Sequence, residues 1–420
     1  MSIRNISVVL AICLLYGVCS RTAGSAFAED EESVKIALAT DLHYISRKLT
    51  DNGAEFQYVA DRSNGKLMLY TEEILDAFVA QMLEEKPAVL ILSGDLTYNG
   101  EYESHVALAE KLRILQKAGI QVLALSGNHD VNNPYAFSFH EDKYEKVKNT
   151  TSKEFAEIYR EFGPARAISV DNVSGSYVYS VRDDLRILML DTNSIAENSL
   201  PAKSFSWLEE QLKDAEEHAA KVITVSHQIL KIHNPLFVRG YRITNASTIE
   251  SLYRKYGVLC QLSGHMHIQH IIAGKLPEIL TSPLSMTPVR YGWLEWNGES
   301  LSYDARETDV EAYAASIGST DENLLHFSEY AINQLFQNQY DQILRRYQGT
   351  ELESSADELA TIFAETNFAY YTGLPIDRTA LMEGLERWRE LDPGIHSGYL
   401  ESIIEDTSPD ALHLVINVAP

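Results

Sequence analysis

The sequence predicts an α/β fold with two packed sheets, followed by an all-α C-terminal unit, and three observations carry this prediction. Short apolar runs alternate with helical patterns through the first third of the chain, which is typical of a mainly parallel sheet. A β-hairpin is then predicted, with strands at 175–182 and 185–191 and a turn at Asp183-Asp184. Beyond about Arg306 the strand signals stop and apolar residues recur at helical spacing.

The first elements follow from apolar runs and their boundaries. Three short runs predict buried strands, at 34–40, 88–93 and 121–126. Two helices are predicted between them, at 66–85 and 100–118. The first helix is expected to end before Pro87, because proline cannot continue a helix. The second carries Leu108, Leu112 and Leu115 on one face.

The later elements are predicted in the same way. We expect helices at 203–219 and 247–256, strands at 221–226 and 258–263, and antiparallel strands within 268–306 that turn at Pro277 and Asn297-Gly298. The acidic, small-residue stretch 307–322 indicates a linker. Three apolar stripes then predict three helices, one through Ile332, Phe336, Tyr340 and Leu344, one through Leu359, Ile362 and Phe363, and one through Leu381, Leu385 and Trp388. We therefore predict an α/β domain over 29–306 and a helical domain over 307–420.

Residues 1–28 predict a secretory signal peptide. Arg4 precedes an apolar run over 6–19 that is too short for an ordinary membrane-spanning helix, and Ala26-Phe27-Ala28 forms a small-residue exit. We place cleavage after Ala28 and expect no membrane span afterwards. A lipoprotein anchored at Cys19 is the second interpretation. It ranks lower because Tyr16-Gly17-Val18 lacks the small residue expected before that cut, and an uncleaved anchor is the third interpretation.

Cysteine content and charge narrow the class of protein further. Cleavage leaves Cys260 alone, so the mature chain has no internal disulfide, and we expect an exported bacterial protein. The 60 acidic and 35 basic residues give a net charge of −25. A protein that binds duplex nucleic acid or an anionic membrane needs a basic face, and this sequence has no basic run that could supply one. Small anionic substrates stay possible, and the oligomeric state stays open.

Side chains of Asp, Asn and His follow five of the predicted strands, at the point where each strand ends. They are Asp41 and His43 after the first strand, Asp95 after the second, Asn128, His129 and Asp130 after the third, His227 after the strand at 221–226, and His265 and His267 after the strand at 258–263. The carboxyl ends of strands in an α/β sheet meet at the edge where ligands bind. We therefore expect one shared site.

The residue types indicate two metal ions. Carboxylate, amide and imidazole groups suit Mn, Fe, Zn or Co, and the absence of a thiolate argues against a structural zinc site. The candidate ligands are too numerous for one ion: Asp41, His43, Asp95, Asn128, His227, His265 and His267. Two metals about 3.5–4 Å apart form a clamp for in-line displacement at phosphorus. We expect two divalent or mixed-valence ions, Mn or Fe ahead of Zn.

Taken together, the motifs resemble those of the calcineurin-like metallophosphoesterase superfamily over residues 34–306. They are D-x-H at 41–43, G-D at 94–95, G-N-H-D at 127–130, His227, and G-H-x-H at 264–267. The resemblance implies a four-layer α/β/β/α sandwich with a dinuclear centre. It also implies that Asp41, His43, Asp95 and His267 hold the first metal, and that Asp95 bridges to a second metal completed by Asn128, His227 and His265.

The same resemblance implies a mechanism. A hydroxide shared by the metals would attack phosphorus, because metal binding lowers the pKa of water. His129 would assist the leaving group, and Asp130 would orient the imidazole of His129.

Two subgroups bear on the substrate. Gly94-Asp95-Leu96-Thr97-Tyr98 matches the G-D-x-x-Y motif of purple acid phosphatases, whose tyrosine binds ferric iron. Those enzymes have a non-ligand where this chain has His43, so we expect Tyr98 not to be a ligand. The stretch 93–105 resembles bacterial exported members that act on cyclic nucleotides. We therefore predict a phosphodiesterase, with a broad phosphomonoesterase or nucleotidase and a non-catalytic binding scaffold as the alternatives.

Two loops just past the candidate ligands stay open between two interpretations. Asn132-Asn133-Pro134 follows His129, and His233-Asn234-Pro235 follows His227. Either loop could shape a substrate pocket or form the ordinary turn that Asn-Pro dipeptides favour. We expect His105 to have a structural role or to support the site from behind the ligands.

Overall fold

A computed structural model describes residues 33–405 and 410–418. The predicted signal peptide over 1–28, its cleavage point and the alternative anchor at Cys19 lie outside the described residues. Within the described ranges, no helix has the length and apolar character that a membrane crossing requires.

The first sheet contains the three predicted parallel strands. Its members are β1 (Val34–Ala39), β2 (Val89–Leu92), β3 (Gln121–Ala124), β13 (Arg290–Trp296), β14 (Ser300–Glu307) and β15 (His413–Asn417). They lie in the order β15-β14-β13-β1-β2-β3. β1, β2 and β3 pair in parallel, whereas β13 pairs antiparallel with both β1 and β14. The carboxyl ends of β1, β2 and β3 therefore meet at one edge.

The second sheet contains the predicted hairpin as β7 (Tyr177–Arg182) and β8 (Leu185–Met189). Its other members are β6 (Ser169–Val170), β9 (Lys221–Val225), β10 (Cys260–Ser263), β11 (His270–Ile272) and β12 (Glu278–Leu280). They lie in the order β11-β12-β10-β9-β8-β7-β6, with β8, β9, β10 and β12 mutually parallel. A separate hairpin of β4 (Phe137–His140) and β5 (Lys143–Lys146) was not predicted.

Alternation along β1 shows how the layers stack. Ile36 and Leu38 are buried against the second sheet, whereas Ala37 and Ala39 face the helices on the other side. The helices of the α/β part are α1 (Ala54–Ala60), α2 (Thr71–Glu85), α3 (Tyr102–Lys117), α4 (Ser152–Ile158), α5 (Phe205–Glu217) and α6 (Ala246–Lys255). α2 and α3 cover the first sheet, and α5 and α6 cover the second. The four-layer α/β/β/α prediction is confirmed.

The C-terminal region is helical as predicted, but it is more closely joined to the sandwich than expected. It contains α7 (Val310–Ser316), α8 (Glu322–Leu325), α9 (Phe327–Tyr347), α10 (Ala356–Thr372), α11 (Arg378–Leu391) and α12 (Ile395–Ile404). The predicted linker over 307–322 contains α7, whose Val310 and Ala314 are buried in the core beside α2. The chain then returns to the first sheet, because β15 pairs antiparallel with β14.

Candidate metal centre

The structure brings six of the seven candidate ligands together in two groups that share one carboxylate. The first group is Asp41, His43, Asp95 and His267, and the second is Asp95, His227 and His265. In each group, one ligand atom from every residue lies within 4.8 Å of the others. The loops that follow β1, β2, β9 and β10 supply these side chains. The site therefore lies where the edges of the two sheets adjoin.

The spacing in the first group fits a single ion. The Nε2 atom of His267 lies 3.2 Å from Nε2 of His43 and 3.2 Å from Oδ1 of Asp41. Nε2 of His43 lies 3.9 Å from Oδ2 of Asp95. Ligand atoms that are each about 2.0–2.2 Å from one ion are about 3–3.5 Å apart, so these atoms need only small shifts. The buried Nδ1 of His43 has no hydrogen-bond partner within the described part of the chain.

In the second group, hydrogen bonds to backbone carbonyl groups fix the tautomers of both histidines. Nδ1 of His227 lies 3.0 Å from the carbonyl oxygen of Ser93, and Nε2 of His265 lies 3.1 Å from that of Gly240. A carbonyl only accepts, so we assign a proton to those nitrogens, and the opposite ring nitrogen of each histidine is the one that can face a metal ion. Nε2 of His227 then points at Oδ2 of Asp95, 3.3 Å away, and at Oδ1 of Asn128, 3.1 Å away.

The backbone of the site adopts an unfavourable conformation at five of the seven candidate ligands. The φ angle is positive at Asp41 (50°), His43 (42°), Asp95 (50°), His265 (68°) and His267 (57°). The left-handed region costs a residue with a side chain roughly 1–2 kcal/mol. Hydrogen bonds between adjacent turns hold two of these positions, from Asp41 N–H to the Gly94 carbonyl and from His43 N–H to the Asp95 carbonyl, each 3.0 Å long.

Two motif glycines allow the backbone to approach the carboxylates closely. A Cβ atom at Gly127 would lie 2.2 Å from Oδ1 of Asp95, and one at Gly264 would lie 2.0 Å from Oγ1 of Thr40. The residues beyond these glycines use the space, because His129 N–H donates to Asp95 over 2.8 Å and His265 N–H donates to Asp41 over 3.0 Å. The glycines of G-N-H-D and G-H-x-H are therefore needed because any side chain at these positions would collide with Asp95, or with Thr40 and Asp41.

Charge is concentrated around the shared carboxylate. Burial raises the pKa of Asp95, but His227 and His129 lower it by a larger amount, so the pKa lies well below the usual range. Burial lowers the pKa of His227, but Asp95 and Asp41 reverse this and raise it to about 9. Burial lowers the pKa of His265 to about 4. The protein without metal thus balances its carboxylates with a proton on His227, which a cation can replace.

His129 lies beside the ligands, but Asp130 does not orient its ring. Nδ1 of His129 lies 2.8 Å from the carbonyl oxygen of Tyr98 and 2.9 Å from Oδ1 of Asn99. Its Nε2 lies 4.0 Å from Oδ2 of Asp95, and the side chain is 32% exposed. The expected contact between Asp130 and the His129 imidazole is therefore wrong, and Tyr98 and Asn99 take that place.

Asp130 instead ties the loop after β2 to the loop after β3. Its Oδ2 accepts from the N–H groups of Leu96 and Gly127, and its Oδ1 accepts from the N–H and hydroxyl groups of Thr97. Burial and the nearby Asp95 raise the pKa of Asp130 to about 6, against the effect of these donors. His105 completes the anchor, because its Nε2 lies 2.9 Å from the Asp130 carbonyl oxygen. The structural role expected for His105 agrees with this position.

Tyr98 packs in a small apolar cluster. Its ring lies 6.4 Å from that of Phe139, centroid to centroid, and burial raises its pKa to about 12. A phenol with a raised pKa is poorly suited to bind a ferric ion as phenolate. The position supports the expectation that Tyr98 is not a ligand.

The loops at 132–134 and 233–235, whose role the sequence left undecided, differ in their contacts. Asn133 forms a turn by accepting from Tyr135 N–H, but its amide also contacts Oδ1 of Asn99 over 3.3 Å. Asn133 thus supports the residue that holds His129. Asn234 contacts the Tyr370 hydroxyl over 3.1 Å and Ser402 Oγ over 3.0 Å, so its loop packs against the C-terminal helices.

Sequence reasoning missed the role of Asn99 and the approach of the Lys66 loop to the site. Asn99 follows the G-D-x-x-Y segment directly, and its closeness to a strand end was the available signal. Lys66 carried no such signal, because its loop reaches the site only through pairing with residues 285–286, far along the chain.

Comparison with known proteins identifies the family. A family model described as calcineurin-like phosphoesterase matches residues 34–269, which contain every candidate ligand. A second model, described as the C-terminal domain of cyclic nucleotide phosphodiesterase, matches residues 309–410. The chain therefore belongs to the calcineurin-like phosphoesterases, a family of metal-dependent hydrolases. The fold of this family implies divalent metal ions, and the two residue groups could hold two of them.

Individual relatives are distant. The chain is 26% identical over 190 residues to the cyclic GMP-AMP phosphodiesterase SMPDL3A of Bos taurus, and the alignment covers 41% of this chain and 40% of the relative. Among solved structures, a dimetal phosphatase from Danio rerio is 12% identical, with 66% of this chain and 96% of that chain covered and a TM-score of 0.47. The purple acid phosphatase PPD1 of yellow lupin (Lupinus luteus) is 13% identical, with 66% and 52% covered and a TM-score of 0.42.

Proposed function

We propose that this protein hydrolyses small phosphodiesters, cyclic nucleotides among them, with two divalent metal ions. The observation that carries the proposal is the pair of ligand groups that share Asp95. Two ions held across one carboxylate supply Lewis-acid activation of water and neutralise charge on the phosphoryl oxygens when they are bound. All other contributions come from side chains of this chain.

The proposed ligands follow the two groups. Asp41, His43, Asp95 and His267 would hold the first ion, and Asp95, Asn128, His227 and His265 the second. Asn128 enters through its Oδ1, 3.1 Å from Nε2 of His227. Oxygen and imidazole donors suit Mn or Fe, and Zn is the alternative.

We propose that His129 holds the proton that the leaving oxygen takes. Its Nδ1 proton is engaged by the Tyr98 carbonyl, so the proton that is transferred would be a second one, carried on Nε2, which faces the shared carboxylate. The partly exposed ring can reach a bound ester, and a positioned imidazole of this kind typically contributes about 10²–10⁴-fold to the rate. Asp130 acts indirectly, because it holds together the two loops that carry Asp95 and His129.

Two comparisons support a diester over a monoester. Residues 309–410 match the C-terminal domain of cyclic nucleotide phosphodiesterase, and the bovine relative is named for activity on cyclic GMP-AMP. The net charge of −25 favours a small ester over a long nucleic acid, which needs an extended basic track.

One panel of substrates tests the proposal. Bis-p-nitrophenyl phosphate, p-nitrophenyl phosphate and 2′,3′- and 3′,5′-cyclic nucleotides would each be assayed with Mn, Fe or Zn. We expect the diesters to be turned over faster than the monoester. Monoester turnover far above diester turnover would contradict the diester preference and favour a phosphomonoesterase, whereas no turnover with any metal would favour a binding scaffold.

We also propose export after cleavage at Ala28, with an α/β domain ending near residue 306 and a helical domain beyond it. The N-terminal sequence of the protein recovered outside the cytoplasm would test the cleavage point. Lipid attached at Cys19 would contradict it.

A further inference from the structure

Lys66 lies on the loop between α1 and α2, which tertiary contacts bring beside the candidate ligands. Lys66 forms an antiparallel bridge with Met286, and Leu67 N–H donates to the Ser285 carbonyl over 2.7 Å. The hydroxyl of Ser285 in turn donates to the Asp41 carbonyl over 2.7 Å. One intervening segment thus separates the backbones of Lys66 and Asp41, a distance of about 10 Å at ordinary strand spacing. A lysine side chain can cover much of that distance.

The C-terminal helical unit holds this loop in position. Gly65 N–H lies 3.4 Å from Oδ1 of Asn338 on α9. A Cβ atom at Gly65 would lie 2.3 Å from a methyl carbon of Leu335, also on α9, so the helix packs directly on the loop. The φ angle of Gly65 is 90°, which glycine adopts without strain. The position of Lys66 therefore depends on contacts with both domains.

The side chain of Lys66 is half-buried and its charge acts on the candidate ligands. Burial lowers the pKa of Lys66, while the carboxylates of Asp95 and Asp41 raise it. The lysine charge in turn adds to burial in lowering the pKa of His43 and of His267. His43 and His267 both belong to the group of ligands proposed for the first metal, which is also the group that Ser285 connects to the Lys66 loop through Asp41.

This ammonium group has no carboxylate partner of its own. Across residues 33–405 and 410–418, no carboxylate oxygen lies within 4.0 Å of it, and no hydrogen bond of its Nζ is formed. A half-buried cation is costly unless an anion pairs with it. Once Asp41 and Asp95 bind cations, their charge is engaged by the metals, and the ammonium group of Lys66 is available to an anionic ligand.

We propose that Lys66 binds a non-bridging oxygen of the substrate phosphate, in a position that α9 of the helical unit maintains. This inference rests on the proposed function for the identity of the substrate. Lys66 would then provide a contact to the phosphate that the metal ions and their ligands do not provide. Its donor geometry suits this role, because the ammonium group offers three donors to an anionic acceptor.

The test is phosphate binding, which does not depend on turnover. Inorganic phosphate would be titrated into the full-length Mn-loaded protein by calorimetry, for the wild type and for Lys66→Gln, Lys66→Arg and Lys117→Gln. We expect Lys66→Gln to weaken phosphate binding about 10- to 100-fold, as loss of one charge-assisted hydrogen bond does. Lys66→Arg should recover part of that loss. Lys117 is the matched control, because it is exposed near the end of α3.

A second measurement separates phosphate binding from a structural role. Removal of a positive charge beside Asp41 and Asp95 should leave Mn affinity unchanged or raise it, so we expect Lys66→Gln to bind Mn at least as tightly as the wild type. Unchanged phosphate affinity in Lys66→Gln, loss of Mn from that variant, or a Mn-loaded wild type that binds no phosphate would each overturn the inference. A wild type that binds phosphate through Lys66 but hydrolyses no ester would count against the proposed function alone.

Discussion

At the scale of single residues, His129 differs from the ligands around it in how it is held. The rings of His43 and His129 lie 4.9 Å apart, centroid to centroid, and His43 is fully buried. His129 is anchored through Nδ1 by Tyr98 and Asn99, and it keeps an exposed edge. A buried ring suits metal binding, and a partly exposed ring suits contact with a substrate.

The His129→Ala variant should therefore lose turnover and keep its metal. We expect kcat for bis-p-nitrophenyl phosphate to fall about 10²–10⁴-fold, because the proton at the leaving oxygen loses its positioned group. Metal content measured by atomic emission should match that of the wild type. His140→Ala, at an exposed position of the β4–β5 hairpin, is the control. Turnover that survives in His129→Ala would contradict the proposed role.

Asp95→Ala should lose both activity and metal. Asp95 belongs to both ligand groups, so its removal takes one ligand from each site and leaves His227 without its carboxylate. We expect metal per chain to fall for both ions and not for one alone. Full metal occupancy of this variant would exclude a bridging role.

At the scale of elements, the loops after β2 and β3 act as one unit because Asp130 joins them. Both oxygens of Asp130 accept two hydrogen bonds each, from the backbone of Leu96, Thr97 and Gly127 and from the Thr97 hydroxyl. These donors belong to the turns that present Asp95 and Asn128. The two strands thus deliver their ligands in a fixed relation.

Asp130→Asn should reduce stability more than it changes the His129 ring. The amide nitrogen would face donors that need an acceptor, so we expect the free energy of unfolding to fall by about 2–4 kcal/mol. Urea unfolding monitored by circular dichroism measures this change. If the variant keeps wild-type stability and loses only turnover, Asp130 would act on catalysis directly and the anchoring role would be wrong.

Glu101, at the start of α3, makes stability depend on pH. The side chain is fully buried, and burial raises its pKa from 4.5 to about 8. The unfolded chain ionises Glu101 at lower pH than the folded chain does, so stability present below pH 4.5 is lost as the pH rises through about 8. Glu101→Gln should remove this dependence.

We expect the loss of stability between pH 5 and pH 8.5 to be smaller in Glu101→Gln than in the wild type, by an amount on the order of a few kcal/mol. Unfolding free energies at the two pH values provide the comparison. Glu322→Gln, whose side chain is 85% exposed, should follow the wild type. Parallel pH profiles for wild type and Glu101→Gln would contradict burial of an uncharged carboxyl group.

At the scale of the whole molecule, the helical C-terminal unit is part of the site's support. α9 packs on the loop of Lys66, and Tyr399 of α12 packs on Phe237, 5.8 Å between ring centroids. Tyr241, beside Phe237, lies 5.1 Å from the ring of His265. The helices thus contact loops on both sides of the metal centre.

Leu335→Ala tests this support in the intact chain. Truncation of a fully buried leucine leaves a cavity and should cost about 2–5 kcal/mol of unfolding free energy. Because the cavity adjoins Gly65, we also expect weaker phosphate binding with unchanged Mn content. Ile317→Ala, at a 58% exposed position, is the control. If the destabilised Leu335→Ala protein kept the phosphate affinity of the wild type, packing of the helical unit would have no effect on phosphate binding at the site.

The net charge also acquires its meaning at this scale. A chain of charge −25 repels polyanions in general. Two divalent ions would bring four positive charges to a site whose carboxylates are Asp41 and Asp95, so the local field becomes positive. Lys66 adds to that field. A small phosphate ester can therefore bind at one positive cleft of an acidic protein.

The sequence by itself determined the main strands and helices of the sandwich, though not α1, α4, β6 or the β4–β5 hairpin, and it placed every candidate ligand at a strand end. This was possible because apolar periodicity and strand-end motifs are local features, visible within a few residues of Asp41, Asp95 or His265. Only the tertiary structure decided that Tyr98 and Asn99, and not Asp130, hold His129. It also decided that β15 returns to the first sheet and that Lys66 reaches the site. These features depend on hydrogen bonds and packing between segments far apart in the chain, which no local pattern encodes.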